Sequence, residues 1–170
     1  MKIHQFYDKS LAHASYAILS EGKIALIDPA RDPQIYFDFA DEYNAEITAV
    51  IETHPHADFV SSHLEISKKT GSPIYISKLV NALYDHITFD EGDELALGKI
   101  KLIPINTPGH SPDSISIIIK DEDGNDHAIA TGDTLFVGDV GRPDLRESQG
   151  SINKTKDELA RMMYLSLIHI

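Results

Sequence analysis

The sequence predicts an α/β protein built around a mixed β-sheet. Over the first half, short apolar runs alternate with stretches of helical periodicity, the pattern of strand–helix units. From Ile87 to Val137 the pattern turns β-rich, with Asp123-Gly124 marking the turn of a hairpin. Alternation first and consecutive strands second points to a mixed sheet and away from a purely doubly wound one.

Taken in order, Ile3–Tyr7, Tyr16–Leu19 and Lys23–Ile27 read as strands, with a turn at Glu21-Gly22. Asp28-Pro29 ends the third. Asp32-Pro33 has the form of an N-cap followed by proline at the first helical position, and Tyr36, Phe39, Ala40 and Tyr43 share one face of the helix it opens. Ile47–Ile51 is a strand. A helix from Phe59 to Lys69 is closed by Gly71, and Pro73–Ile76 reads as a strand. Leu79–Tyr84 is expected to be a short helix. Strands Leu95–Leu97, Ile100–Ile105, Ile115–Ile119 and Ala128–Thr131 follow, and Thr155 to Glu158 has the spacing of a capping box that begins another helix.

A chain of 170 residues, 42% of them hydrophobic, can bury the core of one domain. The net charge of −12 and the lack of any Lys/Arg cluster argue against nucleic-acid binding. With no cysteine, disulfides, thiolate metal sites and cysteine nucleophiles are excluded, so a metal must be held by His, Asp or Glu. Met1–Lys9 lacks the apolar stretch of a signal peptide, and apolar runs such as Ile115–Ile119 are too short to span a membrane. A cytoplasmic location is the expectation.

Thr53-His54-Pro55-His56-Ala57-Asp58 follows the strand Ile47–Ile51 directly, placing metal-ligand side chains at every second position. Pro55 fixes φ between the two histidines, which suits a rigid loop. Two later segments repeat the design. Ile103–Asn106 runs into Thr107-Pro108-Gly109-His110, and Ala128–Ala130 runs into Thr131-Gly132-Asp133. Side chains delivered from the ends of several strands onto one sheet edge are how α/β proteins commonly build sites.

These three segments, with Glu91-Gly92-Asp93-Glu94 and Gly138–Asp144, resemble the successive metal motifs of the metallo-β-lactamase superfamily. The resemblance runs up to Tyr164 and implies the superfamily's αββα sandwich of mixed sheets, with its C-terminal part missing. Leu11–Tyr16 and Gly132–Pro143 are most similar to the persulfide dioxygenase (sulfur dioxygenase) branch, in whose bacterial members a rhodanese domain often follows. That branch implies one Fe(II) on His54, His110 and Asp133, with His56 and Asp58 assisting catalysis from beside it. The spacing alone leaves open whether Asp133 or His56 is the third ligand. Two histidines and one carboxylate with open coordination positions is the arrangement of non-haem iron oxygenases.

The implied reaction joins glutathione persulfide, or another thiol persulfide, with O₂ to give sulfite and the thiol, as in the removal of sulfide and sulfane sulfur. Arg142 is the candidate anchor for a substrate carboxylate, although pairing with Asp139 or Asp144 would occupy it equally well. Tyr16 is a candidate to line the pocket, although an aromatic on a strand is usually core. His13 and His63 read as packing residues or residues close to the site, and His4, His86 and His127 as surface positions.

Two other functions compete. A glyoxalase II-like hydrolase would cleave glutathione thioesters with Zn-bound hydroxide. Such two-metal members carry histidine directly after the motif's aspartate, where this chain has Phe59. They also use a later histidine that this chain does not supply, leaving Asp58 and a bridging Asp133 for a second metal. The third function is an inactive, metal-binding fragment.

Leu165–Ile170 coincides with the translation of a transposon adapter used in sequencing libraries, so the native sequence is expected to stop near Tyr164. His169 therefore carries no functional argument. A domain lacking its C-terminal part is also expected to dimerise or aggregate.

Overall fold

The computed structural model describes residues 1–145 and 155–170. β1 (Lys2–Asp8), β2 (His13–Ser20) and β3 (Lys23–Ile27) form an antiparallel meander, with Glu21 and Gly22 both at positive φ in the tight turn that joins the last two. β4 (Glu46–Ile51), β5 (Ile74–Ile76) and β6 (Ile87–Thr88) extend the same sheet in parallel, giving six strands in sequence order. A second, antiparallel sheet has the order β10-β9-β8-β7, from β7 (Leu95–Leu97), β8 (Ile100–Asn106), β9 (Ile115–Lys120) and β10 (Asp126–Ala130). A small hairpin, β11 (Leu135–Phe136) and β12 (Asp139–Val140), turns at Gly138.

The two sheets face each other across Ile18, Ile27, Ile51, Leu102, Ile117 and Ile119. The opposite face of the six-stranded sheet carries Leu26, Ile47 and Val50 and is covered by α1 (Gln34–Glu42) and α2 (His63–Thr70) through Tyr36, Phe39 and Ile66. An irregularity in the β3–β4 ladder re-phases the alternation: Ile24 pairs with Ile47, but Ala25 pairs with Ala49. Ile47 thus faces the helices, whereas Ala49 and Ile51 face the second sheet. The same phase puts Glu52 on the helix side. α3 (Lys156–His169), capped reciprocally by Thr155 and Glu158, lies against the Pro108–Gly109 turn.

Several elements differ from expectation. α2 begins at His63, not Phe59, because Ser61 and Ser62 are tied outward: Ser61 Oγ donates to Glu52 and Ser62 Oγ to the Ala30 carbonyl. Leu79–Tyr84 is not a helix. A single 3-10 turn, Lys78–Val80, opens on the Ser77 hydroxyl and stops at Asn81 in the left-handed conformation. Pro33 has helical dihedrals and Asp32 Oδ1 accepts the Gln34 N–H at 3.0 Å, the capping arrangement the sequence implies. Gly71 closes α2 at φ 76°.

Candidate metal centre

The sheets converge so that the ends of β3, β4, β8 and β10 meet. His54 leaves β4, His110 leaves β8 and Asp133 leaves β10; their ligand atoms all lie within 4.8 Å of one another. Asp133 Oδ2 is 3.9 Å from His54 Nε2 and 3.6 Å from His110 Nε2. The two histidines are buried, and Asp133 is part-exposed toward a cleft.

Neighbouring groups set the tautomer of both imidazoles. Asp28 accepts the Thr53 N–H at Oδ1 and the Thr53 hydroxyl at Oδ2, each at 2.7 Å. The hydroxyl proton being committed, Thr53 Oγ1 offers a lone pair to His54 Nδ1 at 3.0 Å, so that nitrogen carries the hydrogen. His110 Nδ1 faces the Arg142 carbonyl oxygen at 3.1 Å, which can only accept. In the neutral tautomer with hydrogen on Nδ1, each ring presents its Nε2 lone pair toward Asp133. A hydrogen bond to the far ring nitrogen is how metal-binding histidines are normally oriented. Two imidazole nitrogens and a carboxylate converging in this way fit a divalent metal ion of the Fe or Zn class.

His56 points elsewhere. Its Nε2 is 3.2 Å from Asp28 Oδ1 and 3.8 Å from Glu52 Oε2, charge contacts without the alignment of a hydrogen bond. Burial alone would depress this imidazole, but Asp28 and Glu52 raise it to about 9. Burial also opposes ionisation of Asp28, yet His56, His54 and Thr53 hold it below the ordinary carboxylate range. Glu52 is pushed up to about 8 by burial and the Asp28 charge. At neutral pH the trio is one carboxylate, one imidazolium and one neutral acid.

Asp58 is exposed at the cleft wall, beside Phe59, which lies against the rings of His13 at 4.2 Å and His56 at 4.4 Å. Tyr16, Leu135 and Phe136 complete the wall around a cavity of about 730 Å³. Tyr16 both lines this cavity and packs, partly buried, against the core. The Arg142 guanidinium pairs with Asp144 at 2.8 and 2.6 Å, the pairing anticipated as its competing use. What reaches the site is its carbonyl. His63, at the start of α2, has Nδ1 3.7 Å from Glu52 Oε1, and His4 meets Phe6 edge-on and Phe39 at a tilt, so it is not a pure surface residue.

Asp28, Glu52 and Gly141 were not singled out in the sequence. Asp28 had a usable signal, since it ends β3 just as the predicted ligands end their strands. A Cβ on Gly141 would stand 1.8 Å from the Asp133 carbonyl oxygen and 2.9 Å from His110 Cβ, a closeness no sequence pattern reveals.

Residues 10–166 match the family described as the metallo-beta-lactamase superfamily, and the chain belongs to it. It is 33% identical over 132 residues to the cytoplasmic hydroxyacylglutathione hydrolase of Arabidopsis thaliana, covering 75% of this chain and 51% of that protein. It is 32% identical over 129 residues to the mitochondrial persulfide dioxygenase ETHE1 of Homo sapiens, covering 72% and 47%. A crystal structure of a metallo-beta-lactamase from Staphylococcus aureus superposes with TM-score 0.88 at 36% identity, over 99% of this chain and 52% of the other. The chain spans about half the length of these relatives. Hydrolase and dioxygenase relatives are equally near. No helix among the described residues is long and apolar enough to cross a membrane.

Proposed function

We propose that this chain is the metal-binding domain of a cytoplasmic non-haem iron dioxygenase that converts a thiol persulfide, glutathione persulfide in the first instance, to the thiol and sulfite. One observation carries the reading: Asp133 joins His54 and His110, while His56 is drawn away by Asp28 and Glu52. That arrangement favours one metal with three protein ligands and open positions. Phe59 supports it, because an aromatic ring stands where a two-metal hydrolase carries a histidine.

His54, His110 and Asp133 would hold Fe(II), which when bound would supply the redox chemistry between persulfide sulfur and O₂. The chain's residues position and shield. Thr53 and the Arg142 carbonyl fix the two imidazoles, and Phe59, Tyr16 and Phe136 keep the reacting sulfur in an apolar wall. Asp58, exposed at the cleft, is placed to handle protons as water enters and sulfite leaves. In balance, persulfide, O₂ and one water give thiol, sulfite and two protons. In the longer protein a rhodanese domain, which moves sulfane sulfur, would be a fitting neighbour.

The test is anaerobic loading with Fe(II), then oxygen uptake with glutathione persulfide beside thioester hydrolysis on the same sample. Uptake matched by sulfite release is expected; thioester turnover without uptake would transfer the assignment to the hydrolase, with Zn(II) as its metal. His110→Ala and Asp133→Ala should each empty the site, whereas His56→Ala should retain most of the iron. Loss of iron in His56→Ala would refute the ligand set.

A further inference from the structure

A second cavity, of about 760 Å³, lies in the same face of the molecule as the metal-site cleft. It adjoins the metal-site cleft and shares the walls Tyr7, Leu11 and His13 with it. His13 bridges the two, its ring 4.2 Å from Phe59 and 5.8 Å from His56. The lining also includes Lys9 and Arg31. Both are exposed and neither is ion-paired among the described residues, whereas Lys99, Lys101, Lys120 and Arg142 each hold a carboxylate. Other cations among the described residues are also without an ion pair, but Lys9 and Arg31 alone line this cavity beside the site, where on a chain of net charge −12 they can meet an anion.

Two acids share this lining, but each is already engaged. Asp8 Oδ1 accepts the N–H groups of Ser10 and Leu11 at 2.7 and 3.3 Å, and Asp32 Oδ1 accepts that of Gln34 at 3.0 Å. Their remaining oxygens suit an ammonium group. Tyr7, Leu11 and Ile35 give the cavity exposed apolar walls. Cation, acid and apolar surface together match a small zwitterionic peptide with surplus carboxylate.

We propose that this cavity is the specificity subsite for the peptide portion of the substrate, with Arg31 and Lys9 binding its carboxylates while the sulfur end lies at His54, His110 and Asp133. The assignment rests on the persulfide reading for the sulfur end but not for the peptide end. A tripeptide thiol spans roughly 10 Å when extended, and the two cavities it would bridge are contiguous at Tyr7, Leu11 and His13.

S-methylglutathione, a thioether that keeps both carboxylates and the ammonium, reads the subsite without turnover. In calorimetric titration of the full chain, the Lys9→Glu/Arg31→Glu variant should bind it at least about tenfold more weakly, and Arg31→Lys should stay near the parent. Parent affinity should fall with added salt, and that of the variant should not. Circular dichroism should be unchanged, since neither side chain holds a structural partner. Equal affinity in parent and reversal variant, or no binding to the parent, overturns the proposal. Oxygen uptake on the same samples separates the two ideas. Analogue binding lost in the variant, with no uptake by the parent, keeps the subsite and refutes the persulfide reading. Uptake with the same KM in both refutes the subsite and keeps the reading.

Discussion

At the residue scale the centre depends on a short chain of hydrogen bonds that begins with a strained backbone. Asp28 sits at φ 49°, the left-handed region, which a non-glycine residue occupies only when its surroundings demand it. There its carboxylate receives both Thr53 donors, and Thr53 in turn orients His54. Thr53→Val keeps the shape and removes the hydroxyl, so metal affinity should drop about 10- to 100-fold in competition with a chelator, and Thr53→Ser should restore most of it. A second expectation concerns the metal-free protein. His56 is raised above its unfolded value of 6.5 to about 9. Its stabilising contribution is therefore complete below pH 6.5 and disappears as pH climbs through 9. Glu52, raised to about 8 from 4.5, acts in the same direction, its contribution being lost between those values. Thermal melts of the metal-free chain should lose stability from pH 7 to 9, and His56→Gln should flatten that slope.

At the scale of elements, strand ends were the legible part. Apolar runs located β4, β8 and β10, and His54, His110 and Asp133, which follow them, are brought together in the structure. Three things were not legible. The β4 irregularity, which turns Glu52 toward the helices, leaves no trace in a run as uniform as Ile47–Ile51. The late start of α2 depends on serine bonds to distant strands, so local periodicity over Phe59–Lys69 misleads. The 3-10 turn at Lys78–Val80 replaces a helix because a left-handed Asn81 ends it. Helix α3 adds a prediction at this scale. A Cβ on Gly109 would stand 2.5 Å from Met163 Cα, so Gly109→Ala must push the whole helix off the turn that carries His110. A stability loss of about 1–3 kcal/mol in denaturant melts is expected, with weakened metal binding alongside.

At the scale of the molecule, the strand–helix alternation indicated the α/β class, and where the composition promised a single core the buried apolar side chains form two clusters, one on each face of the six-stranded sheet. Apolar side chains remain uncovered around it. Val60, Leu83 and Val137 are exposed, and on α3 Tyr164, Leu165 and Ile168 form a stripe about two-thirds exposed. Isolated apolar residues are ordinary on a surface, but a stripe along one helix invites a partner. The isolated chain should therefore self-associate, with light scattering behind a sizing column giving a mass above 18.8 kDa; a monodisperse monomer would count against it.

The loop that crosses His110 carries a consequence for how this protein tolerates change. Arg142 orients the imidazole with its carbonyl, a group that every amino acid possesses, while its side chain is occupied with Asp144. Its neighbour Gly141 has no room for even a methyl group. Adjacent positions should thus show opposite permissiveness: under saturation mutagenesis scored by retained metal, residue 142 should accept most side chains and residue 141 almost none. Drift in a lineage could then rewrite the surface chemistry of the loop freely while its path past the ligand stayed fixed.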